Sequence, residues 1–475
     1  MSNSKPCQSN PTSPLQFLNH LLDQCLQTKN LKSTKIIHAH LLRTGSFFLF
    51  NLHPKLIFSY ATCPNSNLIS LPFLFNSMPR TNPIPWNQLI STFSHQSLPF
   101  FSLYTLFLMH KTGLPLDSYA LCSALTASAS SKALAFGKNL HAHVSKSGWS
   151  SSIYVSSALV DLYAKSSSLD DAANLFDEIP VRNTVCANAL LSGYAEAGLW
   201  MDGLQLVRNM NPLRLEPDSY TLTAALRACA GLSAIEIGRQ VHGFQVRRIA
   251  HMGSDVCLLS SLIEMYGRCG LVGKARWVFD MGGERRDVVL WTSMLGAYGR
   301  NGNFEQVIEM YKEMLMQGTK PDSVVFVTVL AACSHTGHLS RGLMYFESMG
   351  REFGLSPQPE HYSCVVDMLC RAGELDKAWE LLNEINSSSS VGVSAWGALL
   401  SACKDNGKVE MGRKAAQKAL ELDPGNAGIY VVLSNLYAGA GMWEEIGELR
   451  ELMNERGLRK DVGCSRIEST MTCLR

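Results

Sequence analysis

A phrase that returns at two nearly equal steps constrains this chain more than any other feature. Residues 36–45 read IIHAHLLRTG, residues 139–148 read NLHAHVSKSG, and residues 240–249 read QVHGFQVRRI, which keeps the first histidine alone. His38 and His141 are 103 residues apart, and His141 and His242 are 101 apart. A long internal period is the mark of a repeat array. It gives the 475 residues a way to fold other than through one oversized core.

Shorter units lie inside the period. SSALVDLYAKSSSLDDAANLFDEIP (156–180), LSSLIEMYGRCGLVGKARWVFDMGG (259–283) and SCVVDMLCRAGELDKAWELLNEI (363–385) align as two short helices joined by a turn. Leu159, Leu162 and Tyr163 form an apolar stripe at helical spacing. Ser168 with Asp171 reads as a capping pair for the second helix. Ala172, Leu175, Phe176 and Ile179 continue its buried face until Pro180 ends it. Gly270 and Gly373 stand where the first helix must stop, as a left-handed cap prefers.

Two other hairpin types alternate with this one. One opens PIPWNQLISTFS (from 83), TVCANALLSGYA (184) and VVLWTSMLGAYG (288), and closes at Leu116-Asp117, Pro217-Asp218 and Pro321-Asp322. The other carries LNHLLDQC, LTAALRACA or FVTVLAACS on its first helix, with Cys25, Cys229 and Cys333 in phase. The unit is therefore a triplet of about 35, 36 and 31 residues, roughly 102 in all. A lone helical hairpin cannot bury its own apolar face, so neighbours must stack. The expected fold is all-α: a right-handed superhelical α-solenoid of helix-turn-helix hairpins whose first helices line a concave surface.

The other features are read within that frame. On a helix, residues i and i+2 point about 200° apart, so His38 and His40 cannot face one metal, and no zinc-site spacing follows either. No metal site and no cofactor are expected. The fourteen cysteines include no CxxC; the phased ones read as small residues at close helix contacts, and all as free thiols in a reducing compartment. No apolar run approaches the roughly 18 residues that cross a bilayer, so no membrane partner is expected. The net charge of +2 hides an asymmetry: residues 1–116 carry eight basic side chains against Asp23 alone, and the remainder is net acidic. Phosphate attraction alone is therefore a poor basis for function. The Ser/Asn/Pro-rich residues 1–14 read as a disordered or partial transit segment.

The uneven triplet resembles the plant pentatricopeptide repeat proteins of the P–L–S type, and the phrases HAHVSKSG, ALVDLYAK, LFDEIP, VLAACSHTGHLSRGLMYFESM and PEHYSCVVDML carry that resemblance over residues 15–468. It divides the chain into an array of about 11 repeats over 15–389, an E extension with tetratricopeptide-like hairpins over 390–468, and a tail over 469–475. L-type repeats fall at 15–49, 118–152, 219–255 and 323–358; S-type at 50–82, 153–183, 256–287 and 359–389; P-type at 83–117, 184–218 and 288–322. The Ser387–Ser390 run reads as a flexible joint.

The resemblance implies sequence-specific binding of single-stranded organellar RNA, in a mitochondrion or chloroplast, with one base read per repeat. The readers implied are the fifth and last residues of each repeat: Asn87 with Asp117, Ser157 with Asn183, Asn188 with Asp218, Ser260 with Asp287, and Thr292 with Asp322. Under the family's code these imply U, A, U, G and G, giving the footprint U-n-A-U-n-G-G-n-n. The L-type fifth positions Asn19, Cys122, Thr223 and Val327 are left blank, and Pro54 cannot donate a hydrogen bond. Each Asp also stands where it would cap a helix with no ligand present; Asn87 and Asn188 could be turn residues; Trp86 and Trp291 read as core.

P–L–S proteins with an E extension resemble site-recognition factors for cytidine-to-uridine editing. The deaminase chemistry needs H-x-E and C-x-x-C around zinc, which this sequence lacks, and Arg466 replaces a usual aromatic in GCSRIE. The expectation is no catalytic residue here, and a DYW-type deaminase recruited in trans, with accessory editing proteins, through the E extension, or else a truncated gene product. The alternatives are an organellar splicing or stability factor, and a tetratricopeptide-like scaffold for protein peptides.

Overall fold

In the computed structural model the described residues are 14–45, 52–63, 70–248, 255–283, 286–386 and 392–458. Residues 1–13, the Ser387–Ser390 joint, Arg466 and the 469–475 tail therefore lie outside them. The described residues are helical throughout, with no strand among them. Their contacts divide the chain into two units, Met1–Ala224 and Ala225–Arg475.

In the first unit the helices pair as α1 (Pro14–Thr28) with α2 (Leu31–Arg43), α3 (Leu52–Thr62) with α4 (Ser70–Asn76), α5 (Ile84–His95) with α6 (Pro99–Lys111), and α7 (Ser118–Ser130) with α8 (Leu134–Ser147). Then come α9 (Ile153–Lys165) with α10 (Leu169–Glu178) and α11 (Thr184–Glu196) with α12 (Trp200–Met210), while α13 (Ser219–Leu232) carries the division between the units. The second unit continues with α14 (Ile235–Arg248), α15 (Val256–Arg268) with α16 (Val272–Asp280), α17 (Val288–Arg300) with α18 (Phe304–Met316), and α19 (Ser323–Thr336) with α20 (Leu339–Arg351). It ends in α21 (Pro359–Arg371) with α22 (Leu375–Asn386), α23 (Val393–Asp405) with α24 (Val409–Leu422), and α25 (Ala427–Gly439) with α26 (Trp443–Glu455). Within the first unit the first helices pack in series, α1 on α3, α3 on α5, α5 on α7, α7 on α9, α9 on α11; within the second, α15 on α17 and so on to α25.

Local chemistry explains the hairpin. The turn between its helices holds one residue in the left-handed region: Ser97, Lys132 and Ser167 early in the chain, Gly270, Gly302, Gly337, Gly373, Gly407 and Gly441 later. The next amide then bonds back to the carbonyl five residues earlier, as from Ser168 to Tyr163 (3.0 Å) and Leu271 to Tyr266 (2.9 Å). This is the Schellman closure of an α-helix. Gly270 and Gly373 thus take the role the sequence suggests. Ser168 does not: it is the N-cap residue of α10, but its side chain makes no capping bond. The short turn keeps its backbone away from the extended conformation a capping hydroxyl needs (φ −100°, ψ 63°).

Burial follows the stripes. Leu159, Leu162, Tyr163, Ala172, Phe176 and Ile179 are buried and Leu175 is half-buried; Trp86 and Trp291 are core, as are Cys25, Cys229 and Cys333. Burial raises the thiol pKa of Cys333 to about 11 and that of Cys229 to about 12, the latter helped by Cys269, so neither is a reactive nucleophile.

Small residues let the first helices close up. A Cβ on Gly193 would lie 2.7 Å from Ala164 Cβ, and one on Gly267 would lie 2.7 Å from Ala297 Cβ and 3.2 Å from its Cα. Backbone cannot swing aside as a long side chain can. Gly267→Val is expected to lower stability by about 1–3 kcal/mol through overpacking, read as a lower urea midpoint; an unchanged midpoint would mean α15 and α17 separate freely.

The opening histidines prove to be interhelical ties. His38 Nδ1 meets the Tyr60 hydroxyl at 3.0 Å, His141 meets Tyr163 at 2.9 Å, and His242 meets Tyr266 at 2.8 Å, each ring pair edge to face. His40, two residues on, is exposed. In the fourth copy Phe346 and Leu369 hold the corresponding positions. Burial lowers the pKa of His38 and His242, and burial with the nearby His38 lowers that of His53 to about 4. A histidine whose folded pKa lies below its unfolded value opposes folding once it must charge. Stability is therefore expected to be full above about pH 6.5 and to fall as pH drops from there toward 4. Thermal melts at pH 7.5 and pH 5 check this, and His53→Gln should flatten the difference.

Candidate nucleic-acid interface

The sequence-derived pairs sit where two first helices meet. Each second member is the N-cap of a first helix and accepts from the amide three residues on: Asp117 from Ala120 (2.8 Å), Asn183 from Cys186 (2.8 Å), Asp218 from Thr221 (2.8 Å), Asp287 from Leu290 (3.1 Å) and Asp322 from Val325 (2.9 Å). The capping reading is thus correct for the four aspartates, Asn183 caps in the same way, and the second carboxylate or amide atom of each side chain stays outside the cap bond. The first members lie in the opening turns of α5, α9, α11, α15 and α17. Asn87 and Asn188 are accordingly helical, and the turn reading of them fails.

Three pairs are in contact. Asn87 Nδ2 donates to Asp117 Oδ2 at 2.7 Å and Asn188 Nδ2 to both Asp218 oxygens at 3.1 Å, while the Ser157 hydroxyl lies 3.3 Å from Asn183 Oδ1 and makes its shorter bond, 2.7 Å, to the Ile153 carbonyl. The members lie 30, 30 and 26 residues apart in sequence, and the first and last pairs meet because α5 packs on α7 and α9 on α11. Ser260 and Thr292 turn back on their own helices as Ser157 does, donating to the carbonyls of Cys257 (2.9 Å) and Val288 (2.7 Å). Short hydroxyl side chains commonly make this bond, and it leaves Asp287 and Asp322 as caps alone.

Hydrogen-bond demand differs among these side chains. Asn87 is 8% exposed and its Oδ1 is buried without a partner. Asn188 Oδ1 accepts from the Thr221 hydroxyl at 2.7 Å, and that same hydroxyl reaches Asp218 at 2.9 Å. Burial would raise the Asp218 pKa; hydrogen bonds from the Thr221 amide and hydroxyl and from Asn188 outweigh it and hold the carboxyl below its ordinary value. It is an anion throughout the physiological range.

One recurrent feature escapes the sequence reading. Three residues before seven of the eleven fifth positions, on the same helix face, stands Ile84, Tyr119, Tyr154, Val185, Tyr220, Val289 or Val324, every one exposed and Tyr154 79% so. Apolar residues that stay in water at fixed phase offer flat or branched surfaces to a planar ligand. Their phase was visible in the sequence, but in an opening helical turn an apolar residue reads as core. No group of three or more metal-ligating side chains occurs among the described residues, and no helix there is long and apolar enough to cross a membrane.

The PPR repeat matches residues 154–183, 185–211, 258–285 and 353–386, the PPR repeat family matches 286–352, and the E motif matches 406–468. The chloroplastic pentatricopeptide repeat-containing protein CRR2 of Arabidopsis thaliana is 36% identical over 464 residues, covering 95% of this chain and 69% of CRR2. A mitochondrial pentatricopeptide repeat-containing protein of the same plant is 36% identical over 447 residues, 94% of this chain and 78% of that protein. Among solved structures, the pentatricopeptide repeat protein PPR10 from maize superposes with a TM-score of 0.69 at 15% identity, over 95% of this chain. PPR10 in complex with an 18-nt psaJ RNA element gives 0.72 at 16% identity, over 94% of this chain. In both, this chain spans 65% of the maize protein's length. At that identity the likeness shows the fold, an α-solenoid of stacked helical hairpins.

Proposed function

The chain belongs to the pentatricopeptide repeat family, and on that premise we propose that it binds single-stranded organellar RNA by sequence and marks a cytidine for editing. The observation that carries the reading is the contact of the Asn87–Asp117, Ser157–Asn183 and Asn188–Asp218 pairs at one phase of the repeat. An asparagine held by a carboxylate presents a fixed amide to a base edge. The unpartnered Asn87 Oδ1 suits the ring N–H of uracil, and a base lacking that donor leaves it unpaired. The exposed residues Ile84, Tyr154 and Val185 lie one turn ahead, where they can flank the base plane. Ser260 with Asp287 and Thr292 with Asp322 read the following positions once a base draws their hydroxyls off the backbone.

Editing is favoured over splicing or transcript stability by the E-motif match over 406–468. In this reading those hairpins receive a deaminase and accessory editing proteins supplied in trans, and the polypeptide performs no catalysis of its own. The names of the relatives, one chloroplastic and one mitochondrial, support an organellar address.

Gel shifts with single-stranded RNA carrying A-U-n-G-G are expected to show at least about tenfold tighter binding than with a scrambled oligomer, since each mismatch costs about 1–3 kcal/mol. Equal weak binding of both would favour a peptide scaffold. Transcript sequencing in plants lacking the protein then separates lost editing at one or a few cytidines from altered splicing or abundance.

A further inference from the structure

Two of the five pairs have the same composition and differ in what surrounds them. Asn87 with Asp117 and Asn188 with Asp218 both join an asparagine amide to a carboxylate. Yet Asn87 Oδ1 has no partner, whereas Asn188 Oδ1 accepts from the Thr221 hydroxyl at 2.7 Å. One side chain makes the difference. Thr221 stands three residues after the cap Asp218, and Ala120 holds the same place after Asp117. After Asn183, Asp287 and Asp322 the place belongs to Cys186, Leu290 and Val325, so no other pair has a hydroxyl there. Thr221, Ala120 and Val325 are all fully buried, so contact with water is not what calls for a polar group at this point.

Helix capping accounts for part of the threonine's role. Its amide donates to Asp218 Oδ1 at 2.8 Å and its oxygen accepts from the Asp218 amide at 3.3 Å, a reciprocal capping box. The box does not require the contact with Asn188. The hydroxyl has one proton and two acceptors in reach, Asn188 Oδ1 at 2.7 Å and Asp218 Oδ1 at 2.9 Å. Asp218 Oδ1 already receives the Thr221 amide and, at 3.1 Å, Asn188 Nδ2, so the proton serves the asparagine. The Asn188 amide is thereby tied at both ends, and its second N–H is the group left to meet a base. A carbonyl of uracil and the ring nitrogen of cytosine both accept from such an N–H. Asn87 instead keeps an open acceptor, which the ring N–H of uracil satisfies and the bare ring nitrogen of cytosine does not.

We propose that Thr221 sets the pyrimidine selectivity of its pair. With the hydroxyl in place, the Asn188–Asp218 hairpin accepts cytidine almost as well as uridine, while the Asn87–Asp117 hairpin holds to uridine. Thr221 is a positioning residue that acts through Asn188, from outside the fifth and last places of the repeat. The inference rests on the RNA reading above and separates two hairpins that their pairs alone make identical.

The test is equilibrium binding of the full chain to single-stranded RNA carrying U-n-A-U-n-G-G, with each uridine replaced in turn by cytidine or by adenosine. Cytidine opposite Asn87 should weaken binding about tenfold, the order expected for one mismatched base edge, and cytidine opposite Asn188 by less than about threefold. In Thr221→Val, which puts there the residue that Val325 places in a sister hairpin, the cytidine penalty opposite Asn188 should rise to about tenfold. In Thr221→Ser, which keeps the hydroxyl, it should stay below about threefold. Melting followed by circular dichroism checks that each variant is folded; loss of the capping bond alone weakens both RNAs alike and leaves their ratio unmoved. Equal cytidine penalties at the two positions in the wild-type chain, an unchanged ratio in Thr221→Val, or a Thr221→Ser chain that behaves as Thr221→Val would each overturn the role of Thr221, and the RNA reading stands as long as adenosine still weakens binding. If adenosine costs nothing at either position, the RNA reading itself fails.

Discussion

A chain carrying Asn188→Ser and Asp218→Asn is expected to prefer adenosine to uridine opposite its second P-type hairpin. The substitution grafts the Ser157–Asn183 arrangement onto the Asn188–Asp218 position, so each combination already exists in this fold. With about 1–3 kcal/mol at stake for each matched edge, the affinity ratio of the two RNAs should swing by a factor of about 10² or more. Asparagine caps a helix about as well as aspartate, so Asp218→Asn should keep the bond from the Thr221 amide and the melting temperature should barely move. The measurement is competition binding with RNAs differing at that one nucleotide. A ratio that stays with uridine would leave Asp218 as a cap and nothing more.

The second large effect concerns stability. Trp291 is fully buried in α17; its ring meets Phe279 edge to face at 4.9 Å, and the Arg286 guanidinium lies over both rings, 4.5 Å from Phe279 and 6.0 Å from Trp291. Arg286 in turn pairs with Asp280 at 3.5 Å and Glu313 at 3.8 Å, joining α16, α17 and α18. Trp291→Ala is expected to cost about 3–5 kcal/mol, a large share of the roughly 5–15 kcal/mol that holds a domain folded. Trp291→Phe keeps an aromatic edge against Phe279 and should cost well under half as much. Urea denaturation followed by circular dichroism distinguishes the two; equal losses would show that the ring contact contributes little beyond its volume.

Much of this molecule is legible in its sequence because each hairpin is closed by local chemistry. The periodicity places the helices, Gly270 and Gly373 mark real turns, and Trp86, Trp291 and the phased cysteines are core. The failures come where two patterns must be superposed. The capping role of Ser168 depends on backbone angles that the turn, not the residue, dictates. The His–Tyr ties require knowing that the second helix of one hairpin type faces the first helix of the next. Tyr60, Tyr163 and Tyr266 recur at the histidines' own steps, so the signal was present without a partner to attach it to. The candidate readers follow the same division: the caps could be read from an Asp before a helix, but the meeting of Asn87 with Asp117 depends on how consecutive helices stack.

The left-handed turn residue has a bearing on how such a chain can change. It lies after the last turn of the first helix, ten residues from the fifth position in its opening turn. Early hairpins place serine or lysine there, at φ between 52° and 61° for Lys132, Ser97 and Ser167, where a side chain is strained and glycine is not. If the fifth positions read bases as proposed, durability and choice of ligand are written at opposite ends of one helix. A lineage can harden or loosen any single module without rewriting the letter it recognises.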